Sequence, residues 1–511
     1  MTETLIQADV PGARPSSGQP ADRRWRRRVP GRHLLGVGAL ALAMVAAHLA
    51  FALQGFYRLK YGAYDLVIFD QAIRAYSRFG PPVSIVKGVH NDFGPDFNIL
   101  GDHFSPVLAL LAPVYWVWDD PRALLGAQAV LFALTVPIVW VFTRRALGTK
   151  AAYLVAAAFT LAWPMQGAAG AGFHEVAFAV PLIALMLERL QAGRVGQAVA
   201  AALGLLFVKE DMGLLVAAFG FLLLLRGRRR AGAALMVLGP VALYVTVNLV
   251  IPAFGGRADY YWVYDQLGPD APSALAYLVT HPVDALRILV TPAIKAHTML
   301  WIFLAAGGLL CLGSTTVLLT VPLLALRMFS SNENHWETTQ HYNAFLEPIL
   351  LFAAVETLAR LKRRWSWAPL AWSGALLAAT LALIPLAPPL VTPFKALYDP
   401  AKWHRLPWEA AAVEAARLVP DGALVEADNY VGPQLTTRTR VLLLDCTPRG
   451  ADWILATTPA KHFPFDSLDR MKQRLRLAQE QGYQVVFQRD QVTLLRRTRP
   501  VLATPPICTS W

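Results

Sequence analysis

Acidic and histidine side chains gather in one stretch of the sequence, residues 57–106. In a chain that is only 16% charged, this stretch holds five aspartates and two histidines: Asp65, Asp70, Asp92, Asp96, Asp102, His90 and His103. A carboxylate can take the proton of an attacking hydroxyl, and carboxylates beside an imidazole can also hold a divalent cation. The stretch is therefore the predicted core of an active site.

Two helices are predicted to carry this chemistry along a membrane surface. Residues 65–79 have an apolar stripe at helical spacing, and residues 103–118 are apolar but short; both are read as interfacial or re-entrant helices. If residues 103–118 crossed the membrane, every later basic cluster would fall on the outer side, against the positive-inside rule.

The composition predicts an α-helical polytopic membrane protein. Of 511 residues, 55% are hydrophobic and 15 are Trp, and apolar runs long enough to cross a bilayer recur. The net charge of +13 falls in short clusters between these runs, where it sets orientation. Nucleic acid is therefore not an expected partner.

Alternating the basic clusters across the membrane gives about eleven spans. They are residues 34–56, 123–143, 151–171, 175–190, 196–208, 212–225, 231–252, 297–312, 314–328, 343–360 and 366–388. A basic, disordered tail, residues 1–32, is placed in the cytoplasm. The odd number of spans places the C-terminal segment outside, together with the stretch 57–106.

Three further segments complete the predicted organisation. The membrane domain covers residues 33–390, residues 391–499 form a small extracytoplasmic α/β domain, and 500–511 is a tail. The small domain is predicted to have helices at 408–419 and 467–481, strands at 423–427, 441–445 and 452–456, and a hairpin of 483–488 with 491–497. Pairing of Cys446 with Cys508 is left open.

Ionisable and aromatic side chains recur at the turns assigned to the outer side. They are His174, Glu175, Lys209, Glu210, Asp211, Arg257, His335, His341 and Tyr342. A charged group at the membrane centre costs about 2.5–3.5 kcal/mol, so charges kept at so many outer turns indicate function. We expect them to surround one cavity.

The order of these features resembles the GT-C superfamily of membrane glycosyltransferases. The resemblance lies in Asp65 after a first span, Gly80, the run DHFSPVLALLAPVYWVW, and a span that closes on Arg144 and Arg145. Within that superfamily, YDLVIFDQAIRAYSRFG, LGDHFSP, FHEVAFAVP, KEDMGL and NHWETTQHYNAFLEP resemble the bacterial membrane proteins grouped as domain of unknown function 2079. The small C-terminal domain resembles the extracytoplasmic tails of GT-C proteins.

The resemblance implies a plasma-membrane enzyme that moves a hexose or pentose from a polyprenyl-phosphate donor to a lipid, glycan or protein acceptor outside. It implies catalytic roles for Asp65, Asp102 and His103, with Asp65 as the base. Substrate-binding roles are assigned to Asp70, His174, Glu175, Lys209, Arg257, His335, His341 and Tyr342. A divalent ion, Mg or Mn, is predicted at Asp102, His103, Glu210 and Asp211.

Structural roles for the same residues stay open. Asp65 also fits a helix N-cap, and Asp70 with Arg74 fits an exposed i,i+4 ion pair. His174 with Glu175 could cap the next span. Lys209 with its two acidic neighbours could form a self-neutralised turn. At the level of the whole chain, a transporter or a catalytically silent scaffold remains the alternative to an enzyme.

Overall fold

The computed structural model describes residues 31–260, 262–385 and 393–500. Predictions for the N-terminal tail up to residue 30, for residues 386–392, and for the C-terminal tail with Cys508 lie outside the described residues.

Eighteen α-helices make up the described part of the membrane region. They are α1 (Gly31–Tyr57), α2 (Ile68–Ser77), α3 (Ile85–His90), α4 (Ala112–Val117), α5 (Arg122–Leu147), α6 (Thr149–Thr160), α7 (Trp163–Ala171), α8 (Ala179–Gln191), α9 (Val195–Leu205), α10 (Met212–Leu225), α11 (Arg229–Val245), α12 (Ile251–Ala253), α13 (Ala271–Thr280), α14 (Pro282–Val290), α15 (Ala293–Ala305), α16 (Thr320–Met328), α17 (Glu347–Leu361) and α18 (Ala368–Leu383).

Short 3₁₀ and π turns join or extend these helices. The π turns are Ala63–Val67 and Thr246–Val250, and the 3₁₀ turns are Ile99–Gly101, Pro106–Leu111, Glu175–Phe178, Gly308–Gly313, Thr315–Leu319, Glu333–His335 and His341–Leu346. Several predicted spans are therefore a 3₁₀ turn followed or preceded by an α-helix.

Four helical stretches are long and apolar enough to cross a membrane by themselves. They are Gly31–Tyr57, Arg122–Leu147, Thr149–Ala171 and Arg229–Ala253, and a bent pair, α13 with α14, raises the number to five. The other predicted spans correspond mostly to shorter apolar helices of 10–17 residues. The protein is thus an apolar, mostly helical membrane protein, and the number of eleven spans stays a prediction.

Two pairs of glycines lie where α10 contacts α11. A Cβ atom added to Gly239 would lie 2.2 Å from the carbonyl oxygen of Gly213, and one added to Gly232 would lie 2.7 Å from that of Gly220. Such contacts let two backbones approach in the way small residues do in membrane helix pairs. Helix α10, which begins directly after Glu210 and Asp211, is therefore packed closely against α11.

The predicted interfacial helices are both present as helical segments. Residues 65–79 contain α2, and residues 103–118 contain the 3₁₀ turn Pro106–Leu111 followed by α4. Helices α2 and α4 pack against each other.

The segment between α12 and α15 received no helix or span in the sequence analysis. It folds into α13 and α14, which meet at a bend of 108° and expose apolar side chains: Leu275, Val279, Val283 and Leu286. Each helix is too short to stand out as a span in the sequence, and Pro282 interrupts the pattern between them.

The C-terminal region forms a five-stranded mixed sheet with two helices. Strands β1 (Leu424–Ala427), β2 (Arg440–Leu443) and β3 (Trp453–Thr457) are parallel, and β5 (Val492–Arg497) pairs antiparallel with both β3 and β4 (Tyr483–Arg489), in the order β2-β1-β3-β5-β4. Helices α19 (Pro407–Leu418) and α20 (Leu468–Glu480) accompany it, with 3₁₀ turns at Pro393–Tyr398, Pro400–Trp403 and Gly432–Gln434. Each predicted element of this domain is present.

This domain packs on the stretch 57–106. The imidazole of His90 lies 2.9 Å from the carboxylate of Asp445, and Arg58 contacts Glu409 at 2.5 Å. One continuous cluster of buried apolar side chains joins the membrane helices to β1, β2, β3 and β5. The domain and the stretch 57–106 therefore lie on the same side of the membrane helices.

Candidate active site

Asp65 has an unusual backbone and an accessible carboxylate. It lies in the π turn Ala63–Val67 with φ +113° and ψ −71°, a conformation that costs a residue with a Cβ atom on the order of 1–3 kcal/mol. Its side chain is 51% exposed. Helix α2 begins later, at Ile68, and its N-cap is Val67, without a capping side chain. The helix-cap role for Asp65 is therefore wrong.

A closed series of contacts, here called the polar ring, connects Asp65 to four other chain segments. Each step is a side-chain contact or a peptide bond between neighbours, and the members in order are Asp65, His174, Glu175, Lys209, Glu210, His103, Asp102, Lys87 and Tyr64. The contacts are Asp65–His174 at 3.7 Å, Glu175–Lys209 at 3.0 Å, Glu210–His103 at 2.7 Å, Asp102–Lys87 at 2.9 Å and Lys87–Tyr64 at 2.9 Å. Residues predicted from separate outer turns thus lie together.

Charges within the ring stabilise one another. Burial raises the pKa of Glu210, but contact with His103 outweighs it and holds the pKa below its usual range. Burial and Lys209 lower the pKa of His103, while Glu210 raises it to a net value above the usual one. Glu210 also accepts a hydrogen bond from the backbone N–H of Phe104 at 3.1 Å. Both shifts therefore favour the charged forms, an imidazolium paired with a carboxylate.

Burial and the neighbouring charges affect the pKa values of Lys209 and Asp211 differently. Burial lowers the pKa of Lys209, but Glu175 and the two acids that follow it raise it well above its usual value. Burial raises the pKa of Asp211, and one of its carboxylate oxygens is buried without a hydrogen-bond partner in the described part of the chain. The predicted neutralisation of charge within this turn is thus incomplete, because one oxygen of Asp211 lacks a hydrogen-bond partner in the described residues.

Two histidines and a tyrosine form the other wall beside Asp65. The rings of His174 and His341 stack with centroids 3.6 Å apart, and the ring of Tyr342 lies 4.0 Å from that of His341. Burial, followed by the charges of His174 and Lys209, lowers the pKa of His341 well below its usual value. Burial and Lys209 lower the pKa of His335 to about 4. Both shifts therefore favour the neutral imidazoles of His335 and His341.

Arg327 is a buried cation at the same wall that the sequence analysis missed. Its guanidinium donates to the carbonyl oxygens of His335 at 2.9 Å and Tyr342 at 3.4 Å. The described residues give it no carboxylate partner, and its Nη2 atom is buried without an acceptor. Its position at the end of an apolar segment had identified it only as part of a span.

Lys87 was also missed, although the sequence contained a signal. It is the only Lys or Arg between residues 79 and 106. Its side chain is buried, reaches Asp102, and lies between the rings of Tyr64 and Tyr260, with centroids 5.2 and 5.0 Å away. A lone cation in an acidic stretch marks a paired group.

Arg257 and Asp70, two predicted substrate-binding residues, lie outside the ring. Arg257 is exposed and packs over the rings of Phe93 and Tyr260. Asp70 is fully buried, and its carboxylate accepts hydrogen bonds from Arg74 at 2.5 and 2.9 Å, Tyr115 at 2.8 Å and Thr436 at 2.7 Å, which is a structural role. The ion pair with Arg74 forms, but it is buried and not exposed.

The predicted metal ligands do not fit a metal site. Asp102 contacts Lys87, and Glu210 contacts His103, so the cations in the ring already occupy these carboxylates. Among the residues that the structure describes, no three His, Cys, Asp or Glu side chains come together as a group able to hold a metal ion. Participation of Mg or Mn stays a prediction that these four residues do not support.

An apolar cavity of about 440 Å³ lies apart from the ring. Trp163, Trp301 and Trp372 are among its lining residues, and no member of the ring is. The chemistry of the ring and this cavity are therefore separate features of the membrane region.

The fold and the ring define a helical membrane protein whose buried ionisable groups gather next to a small C-terminal α/β domain. The chain belongs to the family described as "Predicted membrane protein (DUF2079)", whose model matches residues 56–494. This confirms the predicted family. No curated protein shows significant sequence similarity to the chain.

Two solved structures show the extent of the likeness between this chain and known folds. ArnT from Cupriavidus metallidurans bound to undecaprenyl phosphate is 12% identical over 91% of this chain and 98% of that chain, with a TM-score of 0.49. The oligosaccharyltransferase AglB from Archaeoglobus fulgidus, in complex with an inhibitory peptide and a dolichol-phosphate, is 11% identical over 79% of this chain and 64% of that chain, with a TM-score of 0.36. Both TM-scores lie below 0.5, too low to transfer a property from those proteins to this chain.

Proposed function

We propose that this chain is a membrane glycosyltransferase that moves a sugar from a polyprenyl-phosphate donor to an acceptor hydroxyl on the extracytoplasmic side. The observation that carries the proposal is Asp65: a carboxylate presented at the polar ring by a strained backbone. Strain of this kind persists where the surrounding structure enforces it, and it clusters at active sites. The resemblance of the sequence motifs to GT-C enzymes implies the same residue as the catalytic carboxylate, which supports the proposal.

The reaction needs a base, because a sugar or lipid hydroxyl has a pKa far above 7. The acceptor oxygen forms a bond to the anomeric carbon, and the bond from that carbon to the donor phosphate oxygen breaks, leaving its electron pair on the phosphate. The hydroxyl proton passes to the carboxylate of Asp65. His174, 3.7 Å from this carboxylate, is placed to orient it or to receive the proton in turn.

The leaving phosphate needs positive charge, and the site supplies several cations. Lys209 and Lys87 belong to the ring, and Arg327 lies at the wall formed by Tyr342. Arg327 is the best placed to gain a new partner, since its Nη2 atom is buried without an acceptor in the described structure. Fixed cations in a site that excludes water stabilise developing negative charge strongly.

The location proposed for this reaction is the outer face of a bacterial plasma membrane, with the N-terminus in the cytoplasm. The small domain and the stretch 57–106 pack together, so one side of the membrane holds both. The acceptor class, whether lipid, glycan or protein, stays open within this proposal.

Asp65→Asn tests the proposal. The variant keeps the size of the side chain, and Asn tolerates a positive φ as Asp does, so the loop should keep its shape. We expect transfer to fall by about 10²- to 10⁴-fold. The measurement is release of undecaprenyl phosphate from a labelled undecaprenyl-phosphate hexose or pentose by the reconstituted chain, with membrane extract as the source of acceptor.

Asp96→Asn is the matched control. Asp96 is exposed in the same stretch of chain and has no part in the ring, so this variant should transfer sugar at the wild-type rate. Wild-type transfer by correctly folded Asp65→Asn would end the proposal that Asp65 is the base.

A further inference from the structure

Asn429 of the small domain holds the backbone that presents Asp65. It follows β1 in the sequence, and it is buried. Its carbonyl oxygen accepts from the N–H of Ala63 at 2.5 Å, and its side-chain oxygen accepts from the N–H of Tyr64 at 2.9 Å. The two amides that precede Asp65 are therefore both bound by one residue from a region about 365 positions further along the chain.

The other backbone hydrogen bonds of this turn are local and do not fix its position in the molecule. The N–H of Leu66 donates to the carbonyl oxygen of Gly62 at 3.2 Å, within the same turn. A φ of +113° at a residue with a Cβ atom requires neighbours that are held from outside. Asn429 provides that hold on the N-terminal side of Asp65.

Asn429 itself stands on a rigid support. The carboxylate of the preceding Asp428 accepts from the N–H groups of Tyr430 at 2.9 Å, Val431 at 3.2 Å and Thr457 at 2.6 Å. These bonds tie the end of β1 to the end of β3. The position of Asn429 is thus set by the sheet and not by the membrane helices.

Two glycines show how close the small domain and the turn lie. A Cβ atom added to Gly62 would lie 2.8 Å from the side-chain nitrogen of Asn429, and one added to Gly432 would lie 2.8 Å from the Cβ of Ala63. Any larger residue at either position would push the turn away from the domain.

We propose that Asn429 is a positioning residue for Asp65, so that the small domain completes the active site by fixing the orientation of the base. The inference rests on the proposed function, since it assigns Asn429 a role through Asp65. It also makes a purely structural claim, that the Tyr64 amide is held by the Asn429 side chain, which can be tested without activity.

The test compares two substitutions at Asn429. Asn429→Ala removes the acceptor for the Tyr64 N–H, whereas Asn429→Asp keeps an oxygen in that place. Gln434→Ala is the control, because the Gln434 amide also bridges the domain to the membrane region, but its hydrogen bond goes to the carbonyl oxygen of Phe56 in α1, at 3.1 Å, and not to the backbone of the turn. Hydrogen–deuterium exchange of peptides covering residues 59–69 and the kcat and KM for undecaprenyl-phosphate hexose are measured on the full chain.

In Asn429→Ala we expect faster exchange in residues 59–69 and a kcat lower by about 10- to 100-fold with an unchanged KM for the donor, because a small displacement of a catalytic group acts on the chemical step. Asn429→Asp should keep the exchange of residues 59–69 and kcat close to the wild-type values. Gln434→Ala should change neither the exchange nor kcat. Unchanged exchange in Asn429→Ala would overturn the inference, and so would faster exchange with a wild-type kcat. If Asp65→Asn proves active, the proposed function fails, but the exchange result still decides whether Asn429 holds the turn.

Discussion

Asp65 and Asp70 are two carboxylates of one short segment with opposite environments. Asp70 is fully buried and receives bonds from Arg74, Tyr115 and Thr436. Asp65 is half-exposed on a strained backbone, and its nearest ionisable partner in the described structure is His174 at 3.7 Å. The surroundings of Asp70 therefore bind its carboxylate from several sides, whereas those of Asp65 leave its carboxylate accessible to a substrate.

This difference extends to the groups around each carboxylate. The region of Asp70 joins α2, α4 and the small domain through closed hydrogen bonds. In the region of Asp65, single atoms of Asp211, Arg327 and His341 are buried without a partner in the described part of the protein. A buried polar atom without a partner costs about 1–3 kcal/mol, and three such atoms in one region point to a ligand that completes them. Of these two regions, the one with the complete network has a structural role, and the one with unsatisfied atoms is the candidate site.

The largest effect on the free energy of unfolding is expected in the hydrogen-bond network of Asp70. Arg74→Met leaves the carboxylate of Asp70 buried without its cation, which should lower the free energy of unfolding by about 3–5 kcal/mol. Denaturant titration in detergent measures it. Asp65→Asn should leave the same quantity nearly unchanged, because the Asp65 side chain is half in solvent. Equal losses in the two variants would remove the distinction between the two regions.

A double-mutant cycle at Glu175 and Lys209 applies the same comparison inside the polar ring. Lys209→Met leaves the carboxylate of Glu175 buried without its cation. Adding Glu175→Gln removes that charge, so the free energy of unfolding of the double variant should exceed the value expected from adding the two single effects by about 0.5–3 kcal/mol. Sugar transfer should not recover with it, because the cation is still missing. Recovery of both would show that the pair is only structural.

The sequence predicted the small domain more closely than the ring. The alternating pattern and the turn residues located β1 at 423–427, where the structure has Leu424–Ala427, since these signals are local. The pairs His103–Glu210 and Asp65–His174 join positions more than 100 residues apart. No spacing rule reaches across such a distance, so the sequence could name the residues but not their partners.

Local signals also failed where the backbone is unusual. The pattern YDLV predicted the start of a helix at Asp65, yet the positive φ at that residue delays the helix to Ile68. That conformation depends on Asn429, which lies in another domain. Lys87 was overlooked for a related reason, because its role depends on Asp102 and on two aromatic rings that fold around it.

The His103–Glu210 pair predicts a smaller, pH-dependent effect on stability. The pKa of His103 is raised in the folded protein, so the pair contributes fully below the unfolded-state pKa of 6.5 and is lost as the pH rises through the folded-state value. The difference in unfolding free energy between wild type and His103→Gln should therefore shrink as the pH is raised from about 5.5 to about 9. A difference that grows with pH would mean that His103 is neutral in the folded state.

The smallest expected effect is that of a chelator, and it separates two ways of stabilising the leaving phosphate. Asp102 already contacts Lys87, and Glu210 already contacts His103. The two carboxylates that could bind a divalent ion are therefore paired with basic side chains of the ring. If these cations and Arg327 act on the phosphate directly, transfer should continue at the wild-type rate after treatment with a chelator, and Arg327→Met should lower it by about 10²- to 10³-fold.

Loss of transfer in chelator, with recovery on adding Mn or Mg, would instead require Asp102 and Glu210 to leave their present partners and bind the ion. In that event Lys87→Met, which frees Asp102, should change the metal concentration needed for half-maximal activity, whereas under the direct role it changes only the rate.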